Sequence, residues 1–184
     1  MSAAVSNLVI SLVSMQVAKK IPFEDPQVLL YVRIAYVVVQ ALVLGVYFLV
    51  TQKIKSKNDQ TVLKYVEPAS PMSSDQGQLI TITVKDYDLQ ETSKAVRSVY
   101  MGIAMMGFLH GYMAYTQPLF IQSLMGLKGL YDAKTVAIHL LGKPAEGDLK
   151  RPFTAPALFG AATGAQTDKA AIDEAEKRIG KKDE

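Results

Sequence analysis

The sequence has no cysteine, no tryptophan and only two histidines. Without cysteine there is no disulfide, no thiol chemistry and no cysteine-based metal site. Neither His110 nor His139 has a partner histidine at metal-ligand spacing. No glycine-rich phosphate loop follows a strand, HExxH and GxSxG are absent, and no nucleophile stands beside a plausible base. Asp86, Asp88 and Glu91 are close in sequence, but helix capping explains them better than acid–base work. These absences point away from an enzyme and from any cofactor. A basic stripe interleaved with aromatics is also missing, and the net charge is only +3, which excludes a dedicated reader of nucleic acid.

What is present is segregation. The apolar fraction of 49% and the mean hydropathy of +0.15 resemble those of a soluble protein. Yet the first 50 residues and residues 96–131 are apolar, and the remainder is polar and charged. Lysines and arginines cluster just outside the apolar segments, as in a chain stitched through a membrane that faces an anionic leaflet. At 184 residues the chain makes one domain or little more.

Val5–Val17 is an apolar run with no basic region before it and no small-residue cleavage site, so it reads as a retained, marginal span rather than a removed signal. Asn7, Ser11 and Ser14 form a polar stripe along it. The turn after Lys19-Lys20 contains Pro22 and Pro26, which stop and restart a helix. Val28–Val50 is the most obvious membrane helix. It carries Arg33, with Tyr36, Gln40 and Tyr47 on the same side at about 100° per residue. Arg33 could snorkel to the headgroups. Three further polar groups at its azimuth instead favour a hydrated groove, because lipid-facing polar groups are costly. The segment Thr51–Asp59 leaves with Lys53, Lys55 and Lys57, which the positive-inside rule places in the cytosol.

Asp88–Phe120 is the second long stretch, with Asp88 as N-cap, Glu91 reaching back to it, and Pro118 breaking the helix. Ala104, Gly107 and Gly111 share a face suited to close helix packing in lipid. Met106, His110 and Met113 share another, with Met101 and Met105 at its edge. Methionine at helical spacing is ordinary core filling, but a Met-rich surface can also repack around varied apolar partners. Residues 117–131 are short for a span and read as a re-entrant return or an interfacial helix. The return is favoured because it brings the basic remainder back to the cytosol.

Thr61–Val66 and Leu79–Val84 read as short strands, and Thr135–Leu141 as a third that could join them. Asp168–Ile179 reads as a short charged helix stopped by Gly180. Lys181 and Lys182 stand three and four residues from the end, the spacing of a dilysine retrieval signal. The expected fold is therefore mainly α and integral to the membrane. It has about three transmembrane helices plus a re-entrant or interfacial helix, with a small cytosolic β-sheet element. Its expected parts are an N-terminal helical membrane hairpin (1–50), a cytosolic loop with strands (51–87), a long helix with the return (88–131), and a polar tail with one strand and a short helix (132–184).

The segments NDQTVLKYVEP, VKDYDLQE, YMGIAMMGFLHGYMAYTQPLFIQS and IHLLGKPAEGDLKRPFTAPALFG together resemble a small fungal membrane family of the endoplasmic reticulum. It is known both as inorganic phosphate transport protein eighty-eight and as component three of the SRP-independent (SND) targeting pathway. The resemblance covers nearly the whole chain. It implies a multi-pass protein of the endoplasmic reticulum membrane that delivers or inserts client membrane proteins beside the Sec61 translocon, the ribosome and other SND components. It also implies an older association with phosphate transport, through maturation of transporters. An insertase needs a hydrated groove that accepts many apolar sequences. The seams Asn7/Ser11/Ser14 and Arg33/Tyr36/Gln40, with Met101, Met105, Met106, His110 and Met113, supply those properties. Lys53, Lys55 and Lys57 could touch ribosomal RNA phosphates or anionic lipid, although topology alone also explains them. The alternatives are a phosphate permease and a structural translocon-associated subunit that packs through Gly107 and Gly111.

Overall fold

The computed structural model describes residues 3–67, 78–153, 165 and 167–180. In chain order these form α1 (Ala3–Ala18), α2 (Pro26–Lys57), β1 (Val62–Glu67), β2 (Gln78–Thr83), α3 (Val84–Gly111), α4 (Gln117–Asp132), α5 (Lys134–His139) and α6 (Lys169–Gly180).

The Asp25 side chain caps α2 by accepting from the Gln27 N–H at 2.8 Å, and Pro26 opens the first turn, where its missing N–H costs nothing. The helix was expected to give way after Val50 but runs on through Lys57. No glycine or proline interrupts TQKIKSK, and lysine is a good helix former. Asn58 ends it in the left-handed conformation (φ 47°), which asparagine tolerates better than most residues. At 32 residues α2 is about 48 Å long, more than a bilayer core of about 30 Å. Among the described residues it is the one helix long and apolar enough to cross a membrane.

Helix α3 begins at Val84, five residues earlier than an Asp88 cap would place it. Thr83 is the cap: its hydroxyl accepts from Asp86 N–H at 3.1 Å and donates to the Asp86 carboxylate at 2.8 Å. Its far end also differs. The helix stops at Gly111, the next residues turn through Ala114 at φ 57°, and Pro118 lies in the first turn of α4. Proline therefore starts a helix here instead of breaking one, since the first turn is where it is tolerated.

Paired contacts set the helix directions. Arg33 meets His110, Tyr36 meets Met106, and Thr51 lies level with Ser93, so α3 runs antiparallel to α2. Tyr36 meets Gln122, Gln40 faces Gly126, and Val50 and Ile54 cluster with Leu130, so α4 runs parallel to α2. Helix α4 thus returns the chain to the end of α2 that carries Lys53, Lys55 and Lys57. Helix α1 packs on α4.

Thr135–Leu141, expected as a third strand, is instead the short helix α5 with Thr135, Val136, Ala137 and Ile138 all buried. Four consecutive buried residues do not fit one face of a strand. Packing against α2, α3 and α4 overrides the β-branched preference. Strands β1 and β2 pair antiparallel, from Val62 opposite Thr83 to Glu67 opposite Gln78. Such a hairpin is marginal alone, and α6 covers it, with Ala175 buried and Lys64 paired to Glu176 at 3.0 Å.

Candidate functional site

The buried residues of α2 recur every three or four positions: Tyr36, Gln40, Val43, Tyr47, Val50 and Ile54. The lower half of this stripe is polar and the upper half apolar. On the outside the order is reversed from that of a soluble protein, because Leu30, Tyr31, Ile34, Val37, Val38, Leu42, Phe48 and Leu49 are all exposed. The helix thus turns Tyr36 and Gln40 inward and a large apolar surface outward.

Three polar contacts lie along the inner face. Arg33 donates through Nε to His110 Nε2 at 2.9 Å. That nitrogen must then be the lone-pair one, so Nδ1 carries the proton and donates to the Tyr115 carbonyl at 3.0 Å. His110 is therefore neutral in this arrangement, and it ties α2 to the turn between α3 and α4. Next, Tyr36 donates to Gln122 Oε1 at a long 3.4 Å. Gln122 approaches α3 where Gly102 leaves room, since a Cβ there would lie 2.6 Å from Gln122 Nε2. Above these, Gln40 is 7% exposed and its Nε2 has no hydrogen-bond partner among the described residues. It borders a cavity of about 290 Å³ between α2, α3 and α4, also lined by Ser98, Gln122 and Gly126. A buried amide N–H without an acceptor costs about 1–3 kcal/mol, and a cavity of this size, with Ser98 and Gln122 on its otherwise mostly apolar wall, has room for water to supply the acceptor.

Arg33, Tyr36, Gln40, Met106 and His110 are thus brought together. Ser14 and the Asn7 carboxamide oxygen, the latter without a partner, are buried on α1, with Ser11 half-buried. Because α1 packs on α4, that helix stands between the two polar seams. Met101, Met105 and Met113 point outward, at 67%, 58% and 43% exposure. Ala104, Gly107 and Gly111 are exposed, and a Cβ at either glycine would meet nothing within 4 Å. Lys53, Lys55 and Lys57 are exposed on the last turns of α2. Lys181 and Lys182 lie outside the described residues.

Sequence reasoning missed Gln122, Ser98 and Gly126; the one available signal was Gln122 and Gly126 a single turn apart in an apolar stretch. It also missed a second polar cluster. Asp88, expected to be the N-cap, lies inside α3 and is fully buried. Its carboxylate accepts two hydrogen bonds from the Arg151 guanidinium and one from His139 Nε2, each at 2.6 Å. Burial pushes the Asp88 pKa up, but the hydrogen bonds from His139 and Arg151 and their charges outweigh it, and the net shift is downward. Beside it the Tyr87 hydroxyl accepts from the Phe153 N–H at 2.6 Å, and burial raises that phenol's pKa. The Tyr87 ring meets Tyr65 and Phe153 edge-on at 5.9 and 5.4 Å. This cluster fastens the 151–153 segment and α5 to the start of α3. Its acceptors are already filled, so it has structural rather than binding character.

The chain matches the family described as Phosphate transport (Pho88) over residues 1–182. It is 48% identical over 179 residues, 96% of this chain and 95% of the relative, to SRP-independent targeting protein 3 of Saccharomyces cerevisiae. It is 40% identical over 169 residues, 91% of this chain and 87% of the relative, to the SRP-independent targeting protein 3 homolog of Schizosaccharomyces pombe. No solved structure matches it.

Proposed function

The chain belongs to the Pho88 family, and on that premise we propose that it targets and inserts membrane proteins at the endoplasmic reticulum by an SRP-independent route. In this reading it is a multi-pass membrane protein, and the inner face of α2 with α3 and α4 is the client groove. The observation that carries the reading is Gln40: a buried amide without a partner among the described residues, halfway along the long apolar helix α2, facing a cavity that also holds Ser98 and Gln122. Water held there would lower the cost of drawing a polar client flank past lipid, which is the physical task of an insertase.

Helix lengths support the same reading. Helices α1 and α4 have 16 residues each, about 24 Å, against a bilayer core of about 30 Å. Short helices draw the bilayer thinner around them, which shortens the client's path. The exposed lysines 53, 55 and 57 then face the cytosol, where the ribosome and the Sec61 translocon would be met along with other SND components.

The test is client insertion into microsomes that carry Arg33→Glu in place of the native chain. The groove reading expects reduced insertion of a client with a polar flank while the variant remains folded and abundant. Loss of the protein itself would favour a structural translocon-associated subunit. The second reading, phosphate transport or transporter maturation, has the family's description behind it and the exposed guanidinium of Arg33. Phosphate uptake by proteoliposomes of the purified chain would favour it over the groove.

A further inference from the structure

A second groove of about 520 Å³ runs along the α2–α3 seam, roughly on the opposite side of α3 from Ser98 and Gly102. It is amphipathic along its length. Thr51 and Ser93 line one end, Phe48 and Arg97 lie about one turn further in, and Leu44 and Met101 line the other end. The antiparallel packing of the helices puts Thr51 and Ser93 at the same level, where the apolar run of α2 ends and just before Lys53, with Arg97 about 6 Å deeper along α3. Arg97 has no ion pair or hydrogen bond among the described residues. Phe48 and Met101 are 61% and 67% exposed. The volume falls within the usual range of ligand pockets, about 300–1,000 Å³.

We infer that this groove holds one anionic glycerophospholipid, its phosphate on Arg97 with the Ser93 hydroxyl and an acyl chain laid over Phe48, Leu44 and Met101. The inference rests on the membrane placement proposed above but not on the client groove. Charge decides the occupant. A guanidinium without a counter-charge among the described residues, one turn from the polar end of the groove, attracts a phosphate-bearing lipid. An apolar client helix would leave that cation without a counter-charge. The lipid would act as a seal between α2 and α3 on the side away from the Gln40 cavity.

The experiment uses the full chain in phosphatidylcholine vesicles doped with phosphatidylserine that carries a diazirine in its acyl chain. Irradiation followed by peptide mass mapping should place adducts on Phe48, Tyr100 or Met101 in excess over the lipid-facing Val37 and Val38. Arg97→Gln should lower that labelling by roughly five-fold, the weight of one cation at an anionic surface. Met101→Trp, which fills the apolar end and leaves Arg97 in place, should lower it as well. Labelling spread evenly along α2, or unchanged in both variants, would overturn the inference. So would equal labelling by a diazirine phosphatidylcholine. Client insertion is not read in this assay, so a failure here leaves the proposed function standing.

Discussion

Two polar clusters lie about one helix length apart on α3, and they are finished to different degrees. At its N-terminal end Asp88 is fully buried and accepts three hydrogen bonds of 2.6 Å, two of them from one guanidinium. At the other end and below it, Tyr36 reaches Gln122 at 3.4 Å, Arg33 holds His110 at an exposed rim, and Gln40 Nε2 has no partner among the described residues. A buried cluster with every acceptor filled fixes structure, whereas one left short invites water or a ligand. The same chain therefore separates its anchor from the surface proposed as its client groove, and each can be broken alone.

Asp88→Ala should give the largest effect. It strands Arg151 and His139 in a site where the Asp88 side chain is 1% exposed, and breaking a buried pair this way costs about 3–5 kcal/mol. Thermal unfolding in detergent measures it, and an unchanged midpoint would refute the anchor role. Acid should act on the same cluster. The Asp88 pKa is held below the ordinary carboxylate value of about 3.9 in the folded state. Its contribution is therefore fully present above that value and is lost as the pH falls through the folded-state value. Unfolding followed against pH should show an acid-side loss that Asp88→Ala lacks.

The working cluster should respond in the opposite sense. Arg33→Glu is expected to lower client insertion by about ten-fold, equivalent to about 1.4 kcal/mol on the barrier, with little change in melting. Gln40→Leu removes the unpartnered amide and dries the cavity. Stability should hold or rise by about 1 kcal/mol while insertion falls. A variant that gains stability and keeps full insertion would separate the cavity from the function. Gly102→Ala is the mildest. The new Cβ displaces the flexible end of Gln122, so stability should change by less than about 0.5 kcal/mol, and insertion should drop less than with Arg33→Glu.

Local signals carried part of this organisation. The apolar period of α2, with Tyr36 and Gln40 at Arg33's azimuth, shows in the sequence because one helix turn relates these residues. The hairpin is legible for the same reason. Asp88 was not, because Arg151 and His139 lie 63 and 51 residues away, and Glu91 in the capping-box position offered a sufficient local explanation. Thr135–Ile138 carries a strand composition whose outcome is set by what packs around it. The Met-rich face divided because Tyr36 and Leu119 pack against Met106, whereas Met101, Met105 and Met113 face outward.

The central claim is that the space between α2, α3 and α4 is wet within an apolar helical layer. A chain without native cysteine allows a direct test. Ser98→Cys, Gln40→Cys and the outward Val38→Cys can each be exposed, in native membranes, to a small membrane-impermeant methanethiosulfonate. Modification at 98 and 40 with protection at 38 is the predicted result. Protection at 98 and 40 alike would contradict a hydrated groove and leave α2, α3 and α4 as an ordinary packed bundle.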